Sequence, residues 1–412
     1  MIGQYFDFGH RQTRQAWIIR ITIAVETMLY TGLIPLVPQL GVEAHLEDDV
    51  LGLLLGVYML AGLLACVPFG ILADRWKPRT MLIVGMIGLS VGSAATAVFP
   101  TPLGIGVSRF MQGLSGSAIW TAGLAAVNDA VPTDRRGREV GIAFAMATLG
   151  EMLGPLVSGL LAVQIGFTAF FWFMAGLAAL LAAILVVWQG GASSARLAEP
   201  EPPEQQPRSS QMSVMLLSGV LSLLITVVYG MLLLLVPLKL SRELGLSEFG
   251  IGQVLVVWNL TLFVSQILGG HWADAAGRRW PLALGLLVMG AGILSASPQS
   301  ALLLVVAAVV IIGLGEGVAA TSVTPLFTDA WEAVKPAGSG LGLAYGVANM
   351  IWSLGFLLGN SGGGWLLIHF KSSGVLLGVG VGLVAAGLAT LLFRNRWLGG
   401  APQPIGPDEQ SV

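Results

Sequence analysis

Gly70-Ile71-Leu72-Ala73-Asp74-Arg75-Trp76-Lys77-Pro78-Arg79 is the stretch from which the rest of this chain can be read, because it returns as Gly270-His271-Trp272-Ala273-Asp274-Ala275-Ala276-Gly277-Arg278-Arg279. The offset is 200 residues (270 − 70), and each copy ends a long apolar run with an acid followed by bases. Two further pairs repeat in the same order. Asn128-Asp129 is matched by Thr328-Asp329, and Gly150-Glu151-Met152-Leu153-Gly154-Pro155 by Gly355-Phe356-Leu357-Leu358-Gly359-Asn360. Colinear matches at charged, Gly and Pro positions are unlike the chance similarity of apolar sequence. The chain reads as two halves of one design.

Composition says what the halves are made of. Of 412 residues, 55% are hydrophobic and 10% charged, and the mean hydropathy is +0.83. Soluble domains carry roughly 25% charged residues, and a soluble fold of this composition lacks the polar surface that water requires. The net charge of −2 offers no basic balance for a nucleic-acid partner. The single cysteine, Cys66, excludes an intrachain disulfide and a Cys-based cluster. His10, His45, His271 and His369 have no zinc spacing, so neither metal nor cofactor is expected. The polar stretch 1–14 has no small-residue cleavage site before the first apolar span, and no cleaved signal peptide is expected.

A hydrocarbon core about 30 Å thick takes about 20 helical residues to cross. Runs of that size predict helices near 17–40, 49–73, 80–99, 102–131, 139–164 and 167–189, then 213–238, 247–273, 280–297, 300–331, 339–368 and 373–393. Between the sets lies GGASSARLAEPEPPEQQPRSS at 190–210, too rich in Pro, Glu, Gln and Ser to bury a core. The expected fold is an all-α integral membrane protein of twelve transmembrane helices in two pseudo-symmetric six-helix bundles. Its parts are an N-terminal bundle at 1–190, a cytoplasmic linker at 191–212, a C-terminal bundle at 213–398 and a cytoplasmic tail at 399–412. Of 20 Lys and Arg, all but Arg109, Lys239, Arg242 and Lys371 fall on one side of this arrangement, which leaves 16 (20 − 4) there. The first loop on the other side is acidic, with Glu43, Glu47, Asp48 and Asp49. Positive charge stays inside, so both termini are expected in the cytoplasm of a multi-pass protein of the cell (inner) membrane.

The motifs resemble those of the major facilitator superfamily over nearly the whole chain. Residues 70–79 resemble its loop signature between helices 2 and 3, with Lys77-Pro78 in place of the usual Gly-Arg; the copy at 270–279 keeps the Asp, Gly and Arg. Arg109-Phe110-Met111-Gln112-Gly113 resembles its helix-4 motif. Gly150, Gly154, Pro155 and Gly159, with Ser158, resemble the helix-5 motif of its antiporters. Helix 1 reads Glu26-Thr27-Met28-Leu29-Tyr30-Thr31 and continues to Pro35 and Pro38, similar to vesicular amine transporters and proton-coupled bacterial multidrug exporters. That resemblance implies an amine-recognising carboxylate at Glu26. Asn349 stands where those transporters have an aspartate, and Ala320 at a matching acidic position, with Glu316 one turn earlier.

An ionised side chain in hydrocarbon is expensive, so one inside a span is a functional candidate. Glu26, Arg109, Glu151 and Glu316 qualify, and Glu26 falls ~14 Å into its helix, near the midplane. The family's cavity is lined by helices 1, 4, 7 and 10, which implies that Glu26, Arg109 and Glu316 lie on the pathway. Each also has a structural reading. Glu26 could pair with an interior cation; Arg109 could clamp carbonyls or act as a counter-ion; Glu151, among helix-packing glycines, could be a proton site or an interhelical partner. Tyr30, Tyr58, Gln112, Tyr229, Asn259, Gln266, Tyr345, Asn349 and Trp352 join Glu26 and Glu316 as candidate substrate contacts, since aromatic faces attract cations. Aromatics in a bundle also serve as packing. Gly70, Asp74, Arg75, Arg79, Arg136, Asp274, Arg278 and Arg279 are candidate gating residues, whose charge pairs would form while the bundles are closed on the inside.

No phosphate-cradling loop, metal set or Ser-His pairing points to an enzyme. The expected function is a monomeric secondary active transporter that exports a small hydrophobic or cationic compound against protons by alternating access. Proton-coupled uptake of a small solute is the alternative. The expected partners are the small-molecule substrate, protons and the lipid bilayer.

Overall fold

The computed structural model describes residues 11–129, 136–187, 208–297, 301–334 and 341–392. Most of the expected linker, the tail at 399–412 and the side chains of Asp74, Arg75, Arg136, Asp274 and Tyr345 lie outside the described residues. Among those described, thirteen helices are present: α1 (Arg11–Gly32), α2 (Val37–Glu43), α3 (Asp48–Arg75), α4 (Pro78–Val98), α5 (Pro102–Asp129), α6 (Arg136–Gln164), α7 (Phe167–Val187), α8 (Arg208–Arg242), α9 (Glu248–Ala276), α10 (Arg279–Ala296), α11 (Leu302–Val334), α12 (Leu341–His369) and α13 (Ser372–Leu392). Short α2 continues the first span. The other twelve match the twelve expected spans, and α8 begins at Arg208, inside the segment expected as linker.

Eleven of the described helical stretches are long and apolar enough to cross a membrane, the first running Trp17–Glu43 through α1 and α2. A backbone in hydrocarbon must satisfy its polar groups internally, and a helix does so. The large apolar side chains that remain exposed follow helical stripes. Val84, Ile87, Val91 and Val98 mark one face of α4, and Trp172, Phe173, Leu180, Ile184 and Val187 one side of α7. Such stripes suit lipid, not water. Interior faces instead carry Gly, Ser and Thr, which let backbones approach closely.

Helix ends follow local chemistry. Pro35 opens a 3-10 turn at Ile34–Leu36 and Pro38 sits in the first turn of α2, so the first span bends after Gly32. The two copies of the repeated loop turn differently. In the first, Trp76 and Lys77 are extended and Pro78 starts α4. In the second, Gly277 takes a left-handed φ of 78°, a conformation natural to glycine.

The described residues form two compact units. One gathers those of Met1–Pro202 with Thr226–Asn259 and Asn349–Ser372; the other gathers those of Pro203–Ile225, Leu260–Ala348 and Ser373–Val412. In the first, α1 packs on α6, and α4 on α5 and α7. Inside the second, α10 packs on α11, and Gly290 and Gly387 of α10 and α13 each abut the opposite helix. The repeat persists at the level of contacts. Gly85 of α4 abuts Ser115 and Ile119 of α5, and Gly285 of α10 abuts Gly315 and Ala319 of α11; all three positions shift by 200.

Candidate functional site

One face of α5 sets out the site. Arg109, Gln112, Gly116 and Trp120 are spaced by three, four and four residues, the interval that keeps side chains on one side of a helix. Facing it are Glu26 and Tyr30 of α1, one turn apart, and Tyr58 of α3. Backbone approach makes this possible: a methyl on Gly113 would stand 2.9 Å from the Ala61 side chain of α3.

The Glu26 side chain is 3% exposed. Its two oxygens have different partners. Tyr58 donates its hydroxyl to Oε1, and Trp120 donates Nε1–H to Oε2 at 2.7 Å. A Cβ at position 116 would fall 2.6 Å from Glu26 Oε1, so only glycine leaves the carboxylate this seat. Taking a carboxylate out of water costs several kcal/mol. Two hydrogen bonds to an ionised group, at about 1.5–3 kcal/mol each, offset much of that.

Arg109 is fully buried, and it acts on Glu26 by its charge directly as well as through Tyr58. Its Cζ lies 4.6 Å from the Tyr58 ring centroid and 5.6 Å from that of Tyr30, a cation over two aromatic faces. Nη1 donates to Gln112 Oε1 at 3.2 Å and Nη2 to the Tyr30 carbonyl at 3.5 Å. Gln112 in turn donates to Thr96 Oγ1 at 3.3 Å. The guanidinium, the phenol and the carboxylate thus form a chain in which a cation polarises the hydroxyl that binds the anion.

Glu151 is half-buried on α6 and within electrostatic reach of Glu26. Its helix meets α1 through the motif glycines: a Cβ on Gly154 would lie 2.5 Å from Thr31 Oγ1, and Gly150 abuts the Ala24 carbonyl. Thr27 Oγ1 donates to the Ala147 carbonyl at 2.9 Å across the same seam. The rest of the motif faces α9, where Pro155 meets Gly252 and Gly159 meets Glu248 and Phe249.

Aromatic contacts extend from the carboxylate. Tyr58 and Tyr30 are 4.9 Å apart, Tyr30 and Phe356 6.2 Å, and Phe356 and Tyr229 5.1 Å. Tyr229 continues to Trp258 at 5.5 Å, and Phe356 stacks on Trp352 at 5.9 Å. The expected candidates Tyr30, Tyr58, Tyr229 and Trp352 are therefore joined, through Phe356, which the sequence reading had not singled out. Asn259 is buried and donates to its own helix at the Leu255 carbonyl, while Asn349 is exposed.

Glu316 and Gln266 belong to the second unit. Glu316 is 4% exposed and sits between two points of close approach, Gly315 against Met289 of α10 and Gly317 against Leu262 and Ser265 of α9. Ser265 Oγ ties the same helices by donating to the Gly313 carbonyl at 2.9 Å. By the 200-residue offset, Glu316 occupies on α11 the place of Gly116 on α5, and Thr226 the place of Glu26. Glu316 is a buried carboxyl of the second half, contributed by a different helix of the repeat from Glu26.

The loop bases hold helix ends. Arg79 donates to the Leu185 and Val186 carbonyls, at 2.8 and 2.7 Å, at the C-terminus of α7. Arg279 makes the equivalent bond to the Leu391 carbonyl of α13. Arg278 pairs with Asp329 at 2.5 Å, and Gly70 has open space about it. An ion pair that joins the two sequence halves lies at the other helix ends. Arg242 of α8 grips Asp48 of α3 with two bonds of 2.6 and 2.8 Å.

Sequence reasoning missed Trp120, Gly116 and the Asp48–Arg242 pair. The first two were marked by their spacing from Arg109 and Gln112, which extends the polar face of α5 by two turns.

The family model for the Major Facilitator Superfamily matches residues 20–233 and 218–407. The chain belongs to the major facilitator superfamily. Its twelve long helices are the two-domain fold of that superfamily, whose members are transporters rather than enzymes. An uncharacterized transporter of Schizosaccharomyces pombe is 31% identical over 159 residues, 37% of this chain and 36% of the yeast protein. The tetracenomycin C resistance and export protein of Streptomyces glaucescens is 28% identical over 235 residues, 56% of this chain and 41% of that one. In both, the match spans well under half of the relative's length. The multidrug resistance protein Stp of Mycobacterium tuberculosis is 24% identical over 78% of this chain and 70% of its own. Among solved superfamily structures, a bacterial homolog of the human lysosomal transporter Spinster superposes with a TM-score of 0.72 at 14% identity, covering 92% of this chain and 94% of that one.

Proposed function

We propose that this superfamily member is a secondary active transporter that exports a small hydrophobic or cationic compound in exchange for protons, by alternating access. The observation that carries the reading is Glu26, a carboxyl withdrawn from water and held by Tyr58 and Trp120. In the ionised state it attracts a cation, and the tyrosines beside it offer that cation aromatic faces. In the protonated state the attraction is gone. Substrate and proton therefore compete for one group, and protons moving down their gradient drive substrate the other way. The close seam of Gly150 and Gly154 with α1 supports the antiport reading. So do relatives whose names record drug resistance and export. The protein acts as a monomer in the cell membrane, with both termini in the cytoplasm and a six-helix bundle on each side of the linker.

Purified protein in liposomes with an imposed pH gradient tests this. A fluorescent organic cation should accumulate against the proton flux, and Glu26→Gln should abolish the accumulation at least tenfold. Unchanged gradient-driven transport in Glu26→Gln combined with Glu316→Gln removes the proposal. Cation and proton moving in the same direction would make the protein an uptake symporter.

A further inference from the structure

The partners of Glu26 differ in chemistry as well as position. An indole N–H can only donate a hydrogen bond, whereas a phenol hydroxyl can donate or accept. Trp120 therefore supports Oε2 best while that oxygen bears no hydrogen. Tyr58 supports Oε1 in both states: it donates to the carboxylate, and by turning its hydrogen away it accepts from a carboxyl O–H. A proton on Oε2 would crowd the Trp120 N–H and leave it a hydroxyl oxygen, a weaker acceptor than a carboxylate or carbonyl oxygen. One on Oε1 keeps both bonds.

We infer that Trp120 is a positioning residue that confines the coupling proton of Glu26 to Oε1, the oxygen facing Tyr58. The inference rests on the transport reading above for its purpose, though the proton's address can be measured without transport. The step balances simply: one proton from water adds to Oε1, the Glu26 charge falls from −1 to 0, and the Tyr58 hydroxyl reverses its role. Proton entry is thereby directed to the oxygen backed by the Arg109–Tyr58 stack, and Oε2 stays an acceptor held by α5. The charged and titratable groups facing Glu26 are Tyr30 from its own helix, Tyr58 from α3, Arg109 from α5 and Glu151 from α6. Helix α7, which also packs on α1, contributes none.

The test is difference infrared titration of the protein in lipid, following the C=O stretch of protonated Glu26, identified by its loss in Glu26→Gln. Trp120→Phe removes a bond that is stronger to the ionised carboxylate than to the neutral carbonyl oxygen. Its midpoint should move to higher pH by about one unit, a tenfold gain in proton affinity, and the band should broaden as both oxygens become available. Tyr58→Phe removes a bond that serves both forms and should move the midpoint by less than half as much. Benzothienylalanine at position 120 keeps the fused rings and lacks the N–H, so it should reproduce the Trp120→Phe result in an unperturbed fold. Equal shifts in the Tyr58 and Trp120 variants, or an unmoved midpoint with benzothienylalanine, overturn the inference. Transport that keeps its pH dependence in Glu26→Gln overturns instead the proposed function, and the infrared titration still reads the proton's address.

Discussion

Gly116 is the residue on which the carboxylate site turns, since any side chain there meets Glu26 Oε1 and the Tyr58 hydroxyl. Gly116→Ala is expected to destabilise the protein by about 1–3 kcal/mol, the usual range for an extra methyl in a packed interior, and to lower transport at least tenfold. Gly176→Ala on α7, where nothing lies within 4 Å, is the control and should stabilise by about 0.5–1 kcal/mol. Thermal unfolding in detergent distinguishes the two. Glu26, Arg109 and Tyr58 were legible in the sequence because each is polar or amphipathic inside a long apolar run. Gly116 was marked only by its spacing on the Arg109 face, because one glycine of 56 does not show which atom it makes room for. The role of Arg109 was legible only in part: its charge at that depth marks a site, but not that it faces a phenol ring before any carboxylate.

Between elements, the repeated loops clamp helix ends. Arg79 closes the C-terminus of α7 and Arg279 that of α13, each supplying donors and positive charge where carbonyls lack partners. Arg79→Met should cost about 1–3 kcal/mol, the range for bonds to a charged group, and lower the melting temperature before it alters the direction or pH dependence of transport. A variant that changes transport at an unchanged melting temperature would make the residue a gate alone. The helices themselves were predicted to within a few residues, because Pro78 and Gly277 stop and start them by local chemistry. The exceptions are α1 and α8, which begin at Arg11 and Arg208, six (17 − 11) and five (213 − 208) residues before their expected starts, because hydropathy does not mark the polar first turns of a helix.

At the scale of the molecule, charge ties the halves together where Asp48 meets Arg242. The pair is partly exposed, so its worth to stability is under about 1 kcal/mol. Reversing either charge should lower transport, and reversing both should restore most of it, with the difference shrinking at 1 M salt, where screening acts over about 3 Å. Beside it, Glu243 bonds Lys239 at 2.5 Å and Ser372 at 2.6 Å. Burial alone would raise the Glu243 carboxyl, but the bonds from Lys239 and Ser372, with the ammonium charge, outweigh it and hold the group below the usual carboxylate range. A lowered value means that the unfolded chain binds the proton more readily. The stabilisation is thus present in full above the unfolded value near 4.3 and is lost as pH falls through the lower folded one. Melting temperatures of the protein and Glu243→Gln should run parallel above pH 5 and converge below about pH 4. The helix count, the doubling of the design and the identity of the ionisable groups in the spans followed from the sequence by itself, because a chain in hydrocarbon must bond its own backbone and therefore writes each span as one apolar run. The partners did not. Tyr58 lies 32 residues from Glu26, Trp120 lies 94 away, and Arg242 is 194 from Asp48. Only the rotation and close packing of helices decide which of their faces meet, and hydropathy, nearly uniform around a buried helix, does not encode that rotation.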